Sequence, residues 1–199
     1  LFADDMILFG NSPSDLQQRL DKLVICDRWG LMVNTEKTKV MVFVNEATKD
    51  RMSSGALRGS NLEVVDNFYY LGTVCSYNGC INVNQDILVG KGLKALNVRL
   101  INLKKYSIKP STQCQLFDSF IGSILNYASE VWGIGTFYNI EKVHLSFCKR
   151  VLNVKTSTST LSIYSELGRY PLYVNRYCRS IKYWCTIVQS TIILKCLYA

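Results

Sequence analysis

One histidine, three prolines and no Cys-x-x-Cys pair among eight cysteines set the first limits on this sequence. A Cys₂His₂ zinc site is excluded by the histidine count. A Cys₄ or Cys₃His site would need ligands gathered from scattered positions, since the nearest cysteines are Cys75 and Cys80. No stretch reaches the ~18–20 apolar residues that cross a bilayer. Thr186–Ala199 is apolar but interrupted by Gln189, Ser190 and Lys195, and reads as a buried helix or strand or as the ragged end of a decayed coding sequence. No glycine-rich phosphate loop is present, Gly90-Lys91-Gly92 being too short, and no nucleophile elbow supports a Ser–His–Asp triad. With no signal peptide in view the cysteines read as reduced, and the protein as intracellular, in nucleus or cytoplasm, and not secreted. The first residue is leucine, and the chain opens directly into an apolar and acidic segment, as a piece of a longer reading frame would.

What is present suits a folded chain. Hydrophobic residues make up 48% of 199 and charged residues only 19%, enough to bury one large core or two small ones and too little charge for disorder. The net charge is +8, and its placement is uneven. Residues 1–60 hold eight basic and eight acidic side chains; residues 61–199 hold fifteen and seven. A basic C-terminal region favours a polyanionic partner through counterion release and steering.

Periodicity divides the chain. Met6-Ile7-Leu8-Phe9 reads as a buried strand closed by Gly10. Ser14 and Gln17 read as a capping box for a helix with Leu16, Leu20, Leu23 and Val24 on one face, ended by Trp29-Gly30. Val40–Val44 and Glu63–Tyr77 are β-rich, with a polar loop or hairpin tip between them. From Asn82 the pattern is helical: a stripe of Val89, Leu93, Leu96, Leu100 and Leu103, a second helix begun at Ser111 after Pro110, and a third carrying Ile140, Val143, His144, Phe147 and Val151. A serine and threonine cluster over 157–162 precedes a last helix over Asn175–Val188. The fold class expected is α+β: a small antiparallel sheet with one helix in residues 1–81, a helical bundle in 82–156, and a helical extension in 157–199. His144, on an apolar stripe, reads as a core or rim residue.

Asp4 and Asp5 stand side by side between apolar runs. Adjacent carboxylates repel, and burying either without a partner is costly. A tight turn presenting both to a divalent cation resolves the conflict, and hard oxygen ligands suit Mg²⁺. An exposed acidic turn is the alternative.

Phe2-Ala3-Asp4-Asp5 resembles the [YF]-x-D-D turn of reverse transcriptases. After a helix comes Gly30-Leu31-Met32-Val33-Asn34-Thr35-Glu36-Lys37-Thr38-Lys39, similar to the G-L-x-x-N-x-x-K-T block that follows that turn. Phe68-Tyr69-Tyr70-Leu71-Gly72 with Asn78-Gly79 resembles the F-x-Y-L-G and D/N-G segments of non-LTR retrotransposons. Leu125–Gly133 resembles their L-x-Y-x-x-E-x-W helix, and Phe147–Leu152 and Glu166-Leu167-Gly168-Arg169 continue the likeness to about residue 185.

The resemblance implies a segment of an RNA-directed DNA polymerase: part of a palm (1–81), then a thumb-like bundle. It implies two-metal nucleotidyl transfer in the intact parent, with Asp4 the direct Mg²⁺ ligand and Asp5 its assistant. Lys37, or Lys39 in its place, would lie near the incoming triphosphate; Gly30 would give the turn, and Asn34 and Thr38 would fix the loop. Partners would be an RNA template and a DNA primer. Lys91, Lys94, Arg99, Lys104 and Lys105, with Lys149 and Arg150, would touch phosphates of the hybrid without reading its sequence. In the family a further aspartate and the fingers precede the catalytic turn, so the chain by itself is expected to be inactive. The alternative reading is a helical module that binds nucleic acid without catalysis, or an inert retroelement relic.

Overall fold

The computed structural model describes residues 5–43, 56–57, 59–103, 108–135 and 137–189, without the side chains of Val24, Asp27 and residues 99–103. The architecture is α+β, and the chain divides into two compact units, Leu1–Ile81 and Asn82–Ala199.

In the first unit, α1 (Pro13–Leu23) starts one residue before the expected cap, Ser14. Pro13 occupies the first helical position, where its missing N–H costs nothing. Ser12 therefore becomes the cap: its Oγ accepts from Asp15 N at 3.1 Å, and Asp15 Oδ2 accepts from Asn11 N at 3.0 Å. Gln17, freed from capping, grips the Ala56 backbone from both sides. Its Nε2 donates to Ala56 O (2.7 Å) and its Oε1 accepts from Ala56 N (2.9 Å). That pins β2 (Ala56–Leu57) to α1. A 3₁₀ turn (Val24–Trp29) continues the helix and ends at Gly30, whose φ of +70° turns the chain.

Leu20, Val40, Leu57 and Leu62 form the small core of this unit, with Leu8, Leu16, Leu23, Val33 and Val42 against it. The strands pair in twos. β1 (Lys39–Val40) runs parallel to β4 (Glu63–Val64), β2 pairs antiparallel with β3 (Ser60–Asn61), and β5 (Asn67–Tyr70) with β6 (Thr73–Ser76). Among the described residues two of these three pairings are antiparallel, as expected of the small sheet, and the third is parallel. β5 and β6 meet through Leu71-Gly72, both at positive φ (47° and 80°), the geometry of a type I′ hairpin turn. This gives the Y-L-G triplet a backbone reason.

The stretch expected as a buried strand differs. Met6, Ile7 and Phe9 are exposed, Leu8 alone is half-buried, and only Asp5 takes part in a β-bridge. A strand is buried only if a neighbour covers it, and among the described residues none does.

The second unit is helical. α2 (Asn82–Leu103) packs on α6 (Tyr138–Val151) and on α4 (Ser123–Leu125). Its buried face is Asn84, Leu88, Gly92 and Leu96, and Leu93 from the expected stripe is exposed. The rotation follows from Gly92: a Cβ there would stand 2.6 Å from Leu125 Cδ2, so only glycine lets the helices approach this closely. α3 (Pro110–Leu116) runs through a π turn (Phe117–Gly122) into α4. The segment likened to one helix over 125–133 is broken: Ala128 is left-handed (φ 54°), and a short α5 (Ser129–Trp132) begins after it. α7 (Thr160–Leu167) and α8 (Leu172–Gln189) complete the unit.

Candidate functional site

Asp4, Lys104 and Lys105 lie outside the described residues, as does the side chain of Arg99. Asp5 is exposed. Among the described residues no three His, Cys, Asp or Glu side chains gather where a metal could sit.

The block after the first helix has a defined shape. Asn34 Oδ1 accepts from Lys37 N at 3.1 Å, and Asn34 O accepts from Thr38 N (3.1 Å) and Thr38 Oγ1 (2.7 Å). One asparagine thus closes the turn through both side chain and backbone. Lys37 stands exposed at its tip. Lys39, two residues on, points into the β1–β4 ladder and pairs with Glu63 at 2.6 Å. Lys37 belongs to the turn and Lys39 to the strand that follows it, so one is offered to solvent and the other is held by a carboxylate.

On α2, Lys91 and Lys94 are exposed and three residues apart, on neighbouring parts of one face. On α6, Arg150 is exposed, while the half-buried Lys149 donates to Thr156 O. Lys149 therefore closes the end of its own helix.

Two buried polar centres in the second unit were not read from the sequence. The first is built on the π turn and the end of α7. Gly168 caps α7 in the left-handed conformation (φ 59°), and Arg169 N returns to Tyr164 O at 2.8 Å. That reversal carries the Arg169 side chain to His144, where Nε donates to Nε2 at 2.9 Å, while its terminal nitrogens hold both oxygens of Asp118. His144 is fully buried between Phe117 and Tyr164, with ring centroids 5.3 Å away on each side. Burial, helped by the Arg169 charge, lowers its pKa to about 3, so it is a neutral core residue. The same desolvation pushes the Cys148 thiol up to about 12. An open cleft of about 370 Å³ between Pro110, Cys114, Glu166 and Arg169 adjoins this centre, but the guanidinium there is already committed to Asp118.

The second centre joins α6 to α8. Glu141 accepts from Leu172 N (2.9 Å) and Tyr173 N (2.8 Å), capping α8, and binds the fully buried Arg176 at 2.6 Å. Arg176 lies over the Phe137 ring at 5.4 Å. Beside it Ser180 Oγ donates to Ser129 O at 3.0 Å, and Glu130 lies 3.6 Å from Arg179. The signal available in the sequence was Gly-Arg after a helix and an acid three residues after an aromatic.

Among the described residues no helix is long and apolar enough to cross a membrane. The chain is 26% identical, over 162 residues, to an uncharacterized transposon-derived protein of Caenorhabditis elegans. The match covers 77% of this chain and 56% of that protein, so the chain spans little more than half of its relative's length. No family model and no solved structure matches.

Proposed function

We propose that this chain is transposon-derived and is a segment of a non-LTR retrotransposon reverse transcriptase, whose helical unit grips a template–primer hybrid. The observation that carries the reading is the order of its parts: the F-A-D-D segment, then α1, then an Asn34–Thr38 turn that leaves Lys37 free at its tip. The similarity to a transposon-derived protein supports the same origin. So does the exposed apolar surface of the first unit, Ile7, Phe9, Trp29, Leu31, Met32 and Phe43, which suits a fold made to be covered by more of a polymerase.

In this reading Asp4 and Asp5 would hold Mg²⁺, which would supply positive charge for nucleotidyl transfer in the intact parent. Lys37 sets a positive charge beside the incoming triphosphate, on a loop that Asn34 and Thr38 hold rigid. Lys91, Lys94, Arg99 and Arg150, with Lys104 and Lys105, bind phosphates, and Lys149 serves mainly to close its helix. A second reading is a nucleic-acid-binding module without catalysis, which the exposed Lys91 and Lys94 of α2 would serve equally well.

Fluorescence anisotropy with a labelled RNA–DNA hybrid tests the shared part of both readings. Binding at 50 mM salt that weakens steeply by 200 mM is expected. Undetectable or salt-independent binding would overturn it. Lys37→Ala then separates the two. In the intact parent polymerase it should lower Mg²⁺-dependent primer extension on an RNA template at least tenfold while leaving hybrid affinity unchanged; unchanged extension would favour the binding module.

A further inference from the structure

We propose that Glu63 is a positioning residue for Lys37: it holds Lys39 in the strand ladder, so that one lysine of the Asn34–Lys39 segment meets the phosphates of the nucleotide. The claim rests on the polymerase reading and adds to it a residue that none of the family-like segments contains. The segment offers two lysines for one role. Lys37 and Lys39 stand two residues apart, at most ~7 Å along the backbone. The flexible four-carbon stem of a lysine spans most of that gap, so an unheld Lys39 reaches the same triphosphate. A second, mobile ammonium attracts the nucleotide before transfer as strongly as during it, which tightens binding without lowering the barrier. Only a charge held where negative charge grows on the leaving oxygens speeds the reaction.

The two lysines are sorted by what holds them. Lys37 is exposed in the turn that Asn34 closes, where Asn34 Oδ1 accepts from its backbone N at 3.1 Å. Lys39 opens β1 and lies directly opposite Glu63 in the parallel pairing with β4. Its Nζ donates to Glu63 Oε2 at 2.6 Å, and its side chain is left 25% exposed. The next residue, Val40, is buried in the core of the unit, and its carbonyl accepts from Val65 N at 2.9 Å. β1 is therefore anchored by Val40 whether or not the ion pair forms. With the Glu63 side chain 65% exposed, the pair contributes little to stability. Its consequence is local: the Lys39 charge is tied to the ladder, and the Lys37 charge stands alone at the tip.

Steady-state nucleotide incorporation by the intact parent polymerase, on an RNA template with Mg²⁺, tests the proposal. Glu63→Gln frees Lys39, and should lower kcat about fivefold and the nucleotide KM about twofold, with hybrid affinity unchanged. A merely structural defect would instead raise KM as kcat falls. Glu63→Gln combined with Lys39→Gln should return both constants toward wild type, because no second free ammonium remains. Glu36→Gln removes the same charge from an exposed site beside Lys37 and should leave kcat unchanged. Circular dichroism melts check that each variant stays folded. Unchanged constants in Glu63→Gln would overturn the proposal. So would a raised KM, or a Glu36→Gln variant that matches Glu63→Gln. Lys37→Ala in the same assay keeps the two claims apart. If it has no effect, the polymerase reading loses its lysine and this proposal goes with it. If it slows extension while Glu63→Gln does not, only the part given to Glu63 fails.

Discussion

Arg169 donates its Nε–H to Nε2 of His144 at 2.9 Å, which fixes the imidazole as an acceptor on that side and places its own proton on Nδ1. That proton faces the Tyr164 hydroxyl at 3.5 Å, a long contact. Three elements, the π turn, α6 and α7, are thus joined through one neutral ring.

The arrangement makes stability depend on pH. His144 has a pKa near 3 when folded against an ordinary 6.5 when exposed. Between those values the unfolded chain binds a proton that the folded chain refuses, so stability is full above pH 6.5 and falls as pH drops toward 3. From pH 6.5 to 4.5 the loss is on the order of 2 kcal/mol. His144→Gln keeps an acceptor for Arg169 without titrating. Urea melts of the two proteins at pH 7 and 4.5 should show a smaller loss for the variant. Equal losses would mean that another group carries the dependence.

Glu141 holds Arg176 where no water reaches the guanidinium. Burial lowers the Arg176 pKa, and Glu141 works against that fall. Removing only the acid strands a buried charge, so Glu141→Gln should cost about 3–5 kcal/mol. Arg176→Met removes the stranded charge, and the double variant should lose less than the sum of the singles. Chemical denaturation of all four proteins measures the coupling; strict additivity would refute it.

Two glycines on α2 should respond in opposite directions. Gly90 meets nothing within 4 Å of an added Cβ, so Gly90→Ala should gain about 0.5–1 kcal/mol of helix propensity. Gly92→Ala has the same gain but drives a methyl against Leu125, which is fully buried and has little room to move. Overpacking costs ~1–3 kcal/mol, so the net effect should be a loss. Thermal melts of the pair decide it, and a stabilised Gly92→Ala would show that the helices can part.

These glycines also show how far the sequence can be read. The leucines of α1 sit at helical spacing, and their burial follows from the pattern alone. The α2 stripe was read from large side chains, and a glycine contact face leaves no hydrophobic signal, so the helix was placed about a quarter turn off. Ser14 had the letters of a cap, but Pro13 moved the start to Ser12, a backbone effect that side-chain matching overlooks. Met6–Phe9 has strand chemistry; what it lacks is a described neighbour, and pairing partners are not encoded locally. In the candidate site the Asn34–Thr38 turn follows from short-range chemistry. Arg169 reaches across 51 residues to Asp118, and no local pattern announces such a contact.

The basic face of α2 gives the most direct test of nucleic-acid binding. Lys91 and Lys94 share one exposed face of the helix, at a spacing that lets both approach a single backbone strand. Each phosphate contact removed should lower the slope of log affinity against log salt by ~0.7–0.9. Lys91→Ala with Lys94→Ala should therefore flatten that slope by about 1.5 and weaken binding alike on hybrids of different sequence, because phosphate contacts carry no base information. Lys142, whose ammonium sits over the Tyr138 ring at 4.3 Å, serves as a control of equal charge, and Lys142→Ala should leave the slope unchanged. Anisotropy titrations at four salt concentrations measure all three proteins. If Lys142→Ala lowers the slope by half as much as the double α2 variant does, binding follows net charge alone, and α2 has no special place in it.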